Sequence, residues 1–184
     1  ASFIFDGHHS GLILPPLARL PPGGYTFCAW LYVDTFLPPA SAASSSASSP
    51  TASGELSDEL PAVWSPRLLS LRDEQGRGIE IIFVRERLTG RVAKPNASAC
   101  LHLRTLGSSP AGAASVAAGS SFAAVHALEF KHTFKTGRWY HIGIAHEASR
   151  LFAKSHATLY VDGKAQDSGS IKFPISERLT CCFI

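Results

Sequence analysis

The stretch from Gly137 to Lys164, GRWYHIGIAHEASRLFAKSHATLYVDGK, decides how this chain folds. From Trp139 to His146, the residues Tyr140, Ile142 and Ile144 fall on one side at period two, with Trp139, His141, Gly143 and Ala145 on the other. That alternation predicts a half-buried strand. From Ala157 to Asp162 it repeats, with Leu159 and Val161 inward and Thr158 and Tyr160 outward. Asp162-Gly163 then supplies the positive φ values that a two-residue hairpin turn needs.

Working outward, the same grammar covers the remaining chain. Ser2 to Asp6 and Leu12 to Leu14 read as short strands, followed by an irregular connection rich in proline and glycine, Pro15 to Gly24. Tyr25 to Asp34, YTFCAWLYVD, is apolar on both parities, which predicts a central strand covered on both sides, with Trp30 in the core. Further strands are expected at Arg67 to Leu71, Ile79 to Arg85, Cys100 to Leu106, Val125 to Phe134, Ile171 to Ile175 and Thr180 to Ile184. No segment has an amphipathic helical face; Leu151 to His156 has too few apolar positions for one. Short strands, turn signals and no βα alternation predict an all-β, two-sheet antiparallel β-sandwich.

Two segments interrupt the pattern. Residues 37–62 and 107–124 collapse into Ala, Ser, Gly and Pro, too poor in apolar surface to offset their ordering entropy, and are expected to be flexible insertions. The sandwich tolerates them because loop closure costs grow only logarithmically with length. At 184 residues, residues 1–184 are expected to form a single domain, and a chain that opens directly on a strand reads as a fragment of something larger. A formal charge of +3, with Lys and Arg scattered singly, argues against a nucleic-acid partner. The four cysteines lie in or beside expected strands and are read as buried or half-buried free thiols. Asn96-Ala97-Ser98 matches a glycosylation acceptor, but no signal peptide or apolar span accompanies it.

At this point the motifs carry a resemblance. FIFDGHHSGLILPPL, then GYTFCAWLYVD, GRWYHIGIAHE and ATLYVDGK resemble, in that order, the concanavalin A-like, laminin-G-like jelly roll. The proline-rich run before GYTFCAWLYVD and the His146-Glu147 that ends the Trp139 strand are similar to the version embedded in BEACH-domain proteins, the neurobeachin and beige relatives. The resemblance implies a module of a large cytoplasmic scaffold acting in vesicle trafficking, lysosome biology or autophagy, with armadillo-like repeats before it and a PH-BEACH-WD40 tail after it. Relatives of that kind continue past Cys182-Phe183-Ile184 into at least one more strand, so a closing strand is expected beyond Ile184.

The fold hosts lectins, glycosidases and interaction modules, so function rests on sites. Glycoside hydrolysis needs two facing carboxyls, and no Glu-x-Asp-x-Glu arrangement occurs. Glu80 and Glu86 share a parity and are read as solvated surface charge, as are Glu55, Asp58 and Glu59. A non-enzyme is expected. Calcium would need six or more oxygen ligands from loops, but Asp6 and Asp162 serve better as turn formers and Asn96 is the only asparagine. The eight histidines form no His-x-His pair on one strand face; His8 and His9 point oppositely, as do His141 and His146, so no metal and no cofactor is expected. Trp30 and Trp139 are read as core rather than as a sugar-stacking platform. What remains is recognition. A protein or peptide partner, or a neighbouring domain of the same polypeptide, is expected on the sheet face bearing His102 and Arg104, with Tyr160. A glycan is the alternative ligand, and membranes enter only indirectly through the parent protein.

Overall fold

The computed structural model describes residues 3–5, 10–36, 65–85, 98–107, 124–149, 154–174 and 178–184. It is all-β. Nine strands follow in chain order: β1 (Gly24–Tyr32), β2 (Arg67–Asp73), β3 (Gly78–Arg85), β4 (Ala99–Leu106), β5 (Ala124–Phe134), β6 (Trp139–Glu147), β7 (His156–Val161), β8 (Lys164–Ser170) and β9 (Leu179–Phe183). They form two antiparallel sheets, one of four strands in the order β1-β6-β7-β8 and one of five in the order β5-β4-β3-β2-β9. Both sheets turn their inward side chains into one hydrophobic core, the arrangement of a β-sandwich.

The alternation read from the sequence sets which residues enter that core. Tyr140, Ile142 and Ile144 of β6 and Leu159 and Val161 of β7 are buried from the four-stranded side. Ile79, Ile81 and Phe83 of β3 meet them from the other sheet, with Leu101 and Leu103 of β4 and Phe130 and Phe134 of β5. Phe134 is the joint: its ring lies edge-on to Phe83 at 5.5 Å and to Tyr140 at 5.0 Å. Tyr140 can enter an apolar layer because its hydroxyl accepts from the Lys135 amide at 2.8 Å. Asp162 takes the expected left-handed backbone, φ 52°, and Gly163 follows with φ 78°, closing the β7–β8 hairpin.

Several expectations are corrected. β1 is not central: it is the end strand of its sheet, paired with β6 alone among the described residues, and Trp30 is 68% exposed. Residues 3–5 form no strand, and 12–14 make only a bridge, Ile13 to Phe183, with Leu14 bonding to Cys182 of β9 and Leu12 to Ile184 just after it. Ile171 to Pro174 is not a strand; Ile171 packs into the core while the strand before it, β8, is the polar run KAQDSGS. Cys28 and Cys181 are exposed, Cys100 is half-buried and Cys182 is buried. The two low-complexity segments, 37–62 and 107–124, lie outside the described residues except for Gly107 and Ala124, as do Asp6, His8, His9, Glu55, Asp58, Glu59, Glu86 and Asn96.

Candidate functional site

The antiparallel register of β1 with β6 sets directly opposite residues on the same face of the sheet. On the outer face this puts Tyr32 against Trp139 and Trp30 against His141, with ring centroids 5.5 and 5.0 Å apart. The next row outward on the same face is Cys28, Gly143 and Tyr160, one from each of β1, β6 and β7. Beyond it lies a low row of small side chains, Thr26, Ala145, Thr158 and Ser168. The outer face of the four-stranded sheet is therefore a step: an aromatic shelf above a small, partly hydroxylated floor.

The shelf faces solvent. Trp30 and Trp139, expected in the core, are 68% and 55% exposed, and Tyr32 and Tyr160 are exposed as well. The turn beside it is fixed by Asp162, whose carboxylate accepts from the His141 amide at 2.9 Å and whose own amide donates to the His141 carbonyl at 2.7 Å. Arg138 lies 3.6 Å from Asp162 at the rim, a surface pair worth little on its own. Aromatic rings grouped on one sheet face and rimmed by charge differ from the scattered single apolar residues that any surface carries.

Beneath the shelf, His146 is fully buried on the opposite face of β6. Its Nδ1 lies 3.1 Å from the Tyr25 hydroxyl, and its ring packs on Phe173 at 4.8 Å. Burial pushes the imidazole below its ordinary range, with the Ile171 backbone partly opposing, and burial also pushes the Tyr25 phenol up. The pair is a neutral hydrogen-bonded unit that ties the β1 start to the core. Gly24 makes the close approach there: a Cβ on it would stand 2.5 Å from the His146 carbonyl oxygen.

His102 and Arg104 lie elsewhere. Both are half-buried on β4, opposite in parity to the core residues Leu101 and Leu103, and so face outward from the five-stranded sheet. Tyr160 faces outward from the four-stranded sheet, so the three expected site residues are divided between the two sides of the sandwich. His102 is 3.7 Å from Glu129; burial lowers its pKa, Glu129 opposes and Arg104 adds to the lowering.

Arg104 stands across from Glu80 in the β3–β4 register. Glu80, read from sequence as solvated charge, is only 1% exposed and pairs with Arg72 and, at 3.1 Å, with Arg67. A cleft of about 370 Å³ opens at the far side of these arginines, bounded by Thr180, Cys181 and Phe183. Three of its charged groups are turned to internal partners, Arg67 and Arg72 to Glu80 and Asp73 to Arg77 at 2.8 Å. Among the described residues, no three of His, Cys, Asp and Glu gather closely enough to hold a metal ion.

Sequence reasoning missed Trp30, Tyr32 and Trp139 as surface residues. The missing signal was the layering: among the described residues no second layer covers the outer face of the four-stranded sheet, so the second apolar parity of β1 and Trp139 of β6 lie on the surface. Compared with known proteins, the chain is 27% identical over 176 residues to the BEACH domain-containing protein lvsE of Dictyostelium discoideum, covering 95% of this chain. That is 6% of the relative's length, so the chain corresponds to a small part of it. No family model and no solved structure matches. No described helix is long and apolar enough to cross a membrane.

Proposed function

We propose that this chain is a non-catalytic recognition module of a BEACH-type protein, a concanavalin A-like jelly roll that docks a protein segment or a neighbouring domain on its aromatic shelf. The observation that carries the reading is the joint exposure of Trp30, Tyr32, Trp139 and Tyr160 on one rigid sheet face. Trp and Tyr supply large contact area with few rotatable bonds, which is why they dominate binding hot spots. The likeness to lvsE over nearly the whole chain supports the BEACH context. On this reading the parent protein is cytoplasmic, works in vesicle trafficking, lysosome biology or autophagy, and meets membranes only through its other parts. Tyr160 stays in the docking surface, while His102 and Arg104 belong to a separate face and are not required.

A carbohydrate reading is favoured by one specific feature. The same exposed rings beside Thr26, Thr158 and Ser168 offer stacking and hydroxyl partners to a sugar. Selection of a displayed peptide library on the folded domain, with a glycan array in parallel, separates the two. Enriched peptides whose titrated affinity drops at least tenfold in Trp139→Ala, and is unchanged in Arg104→Ala, support protein docking. Reproducible sugar binding without peptide enrichment assigns the shelf to glycans instead.

A further inference from the structure

A glycine inside a strand weakens it, because the residue gives up more chain freedom on folding than any other and packs no side chain. Among the described residues four glycines stand in strands: Gly24 of β1, Gly78 of β3, Gly143 of β6 and Gly169 of β8. Three are explained by crowding. A Cβ on Gly24 or Gly78 would run into backbone, of His146 and Leu71 respectively, and one on Gly169 would stand 2.5 Å from Leu128. Gly143 is different. Its backbone is outside the left-handed region, and it pairs with Cys28 and Tyr160 in unbroken register. A Cβ there would meet nothing closer than the Cys28 sulfur at 3.5 Å and the Tyr160 Cβ at 3.6 Å. Those are ordinary contacts, so neither backbone conformation nor crowding requires the missing side chain.

Its place on the outer face gives the absence a use. β6 is an inner strand of its sheet, and Gly143 stands at the foot of the aromatic step, with Cys28 and Tyr160 at its sides and Trp30 and His141 one row above. Tyr160 does not fill the gap by folding its ring over it, since the atom it brings nearest is its Cβ. The gap is narrow, Gly143 itself being buried between its neighbours, so it admits a side-chain tip rather than a backbone or a flat ring. Neither this row nor the ones beside it, Trp30 with His141 and Thr26 with Ala145 and Thr158, carries a carboxylate, a lysine or an arginine. A charged group set down here would lose its water and gain no counter-charge, whereas an aliphatic one has no hydration to lose.

We propose that Gly143 is a specificity-determining residue of the docking surface: it leaves a socket in which the partner segment seats the tip of one neutral aliphatic side chain. The proposal rests on the docking function proposed above and adds which group of the partner is selected. A strand glycine that the fold does not need marks a point of close approach by another molecule. Single anchors seated in small pockets, ringed by contacts that exclude water, are also where binding energy concentrates. Trp30 and Trp139 give that ring its apolar area, and Gly143 sets what fits at its foot.

The probe is the peptide most enriched from the displayed library on the wild-type domain. Gly143→Ala adds the one carbon its neighbours admit, and Gly143→Val adds a β-branched side chain that favours strands. Both are expected to hold or raise the urea midpoint, while peptide affinity falls at least threefold in Gly143→Ala and at least tenfold in Gly143→Val. Alanine scanning of the peptide should find an aliphatic anchor whose truncation costs at least tenfold on the wild type. On Gly143→Val the same truncation should cost less than threefold, because the socket is already filled. Wild-type affinity in both Gly143 variants, with a tenfold loss in Trp139→Ala, overturns this proposal and leaves docking on the shelf standing. No enrichment on the wild-type domain removes both. A fall in urea midpoint in Gly143→Ala shows the gap filled by the chain's own residues and overturns the proposal, as does an anchor that is charged or aromatic.

Discussion

Replacing Glu80 with glutamine probes a buried carboxylate held between Arg67 and Arg72. The carboxylate is 1% exposed, Arg72 beside it is 14% exposed, and Arg67 on its other side is 45% exposed. Breaking a buried pair by neutralising one partner costs about 3–5 kcal/mol, because the remaining charge is left without compensation in a poorly solvated place. Water reaches Arg67 and takes over much of its charge, which points to the low end, about 3 kcal/mol. For a chain of this size, 1 kcal/mol corresponds to a shift of about 2–4 °C, so the midpoint should fall by roughly 6–12 °C. Urea unfolding followed by circular dichroism supplies the free energy directly. The companion variants are Arg72→Met and the double replacement: their cycle should return a coupling of about 1–3 kcal/mol, with the double variant less damaged than the sum of the singles. A loss in Glu80→Gln below about 1 kcal/mol, the range of solvent-exposed pairs, would refute the reasoning and return Glu80 to the surface class assigned from sequence.

Other outcomes follow from the same geometry. Phe134→Ala removes the ring that joins Phe83 to Tyr140 and should cost about 3–5 kcal/mol in urea unfolding, a cavity the two sheets cannot collapse to fill. His146, His102 and His132 all have pKa values lowered by burial, so the folded state favours their neutral forms and the unfolded chain binds more protons in acid. Stability is therefore complete above the unfolded value, about 6.5, and is lost as pH falls from there toward the folded values; urea midpoints between neutral and mildly acidic pH should drop, and less steeply in His146→Gln. Trp139→Ala should change stability by no more than about 0.5 kcal/mol because its ring is solvated, and a loss of several kcal/mol would put the shelf back in the core.

Which parts were readable follows from what each inference needed. The inward sets of β6 and β7 required only local alternation, and Asp162-Gly163 required only turn chemistry. β1 required knowledge of its neighbours. An apolar parity looks identical whether a second sheet covers it or nothing does, so Trp30 was assigned to the core on composition and is found outside it. β8 had no apolar alternation to detect; the hairpin carries its polar residues into register with β7. Glu80 left one usable clue. Its same-face neighbour on β3 is Ile82, also buried, and a carboxylate that shares a covered face with isoleucine must be paired. Arg67 and Arg72 as its partners could not be read, because a bulge between Arg67 and Leu69 resets the β2 register.

The two outer faces of the sandwich therefore differ in what they have left to offer. On the five-stranded side, Arg67 and Arg72 are turned onto Glu80, and Asp73 receives both the Arg77 amide and its guanidinium. A ligand there would have to displace internal ion pairs before gaining its own. On the four-stranded side the aromatic rings touch one another and the solvent, and covering them removes apolar surface from water without breaking any pairing. The difference in displacement cost, more than the identity of any one residue, is why the proposed docking surface is placed at Trp30, Tyr32, Trp139 and Tyr160 rather than at Glu80 and its arginines.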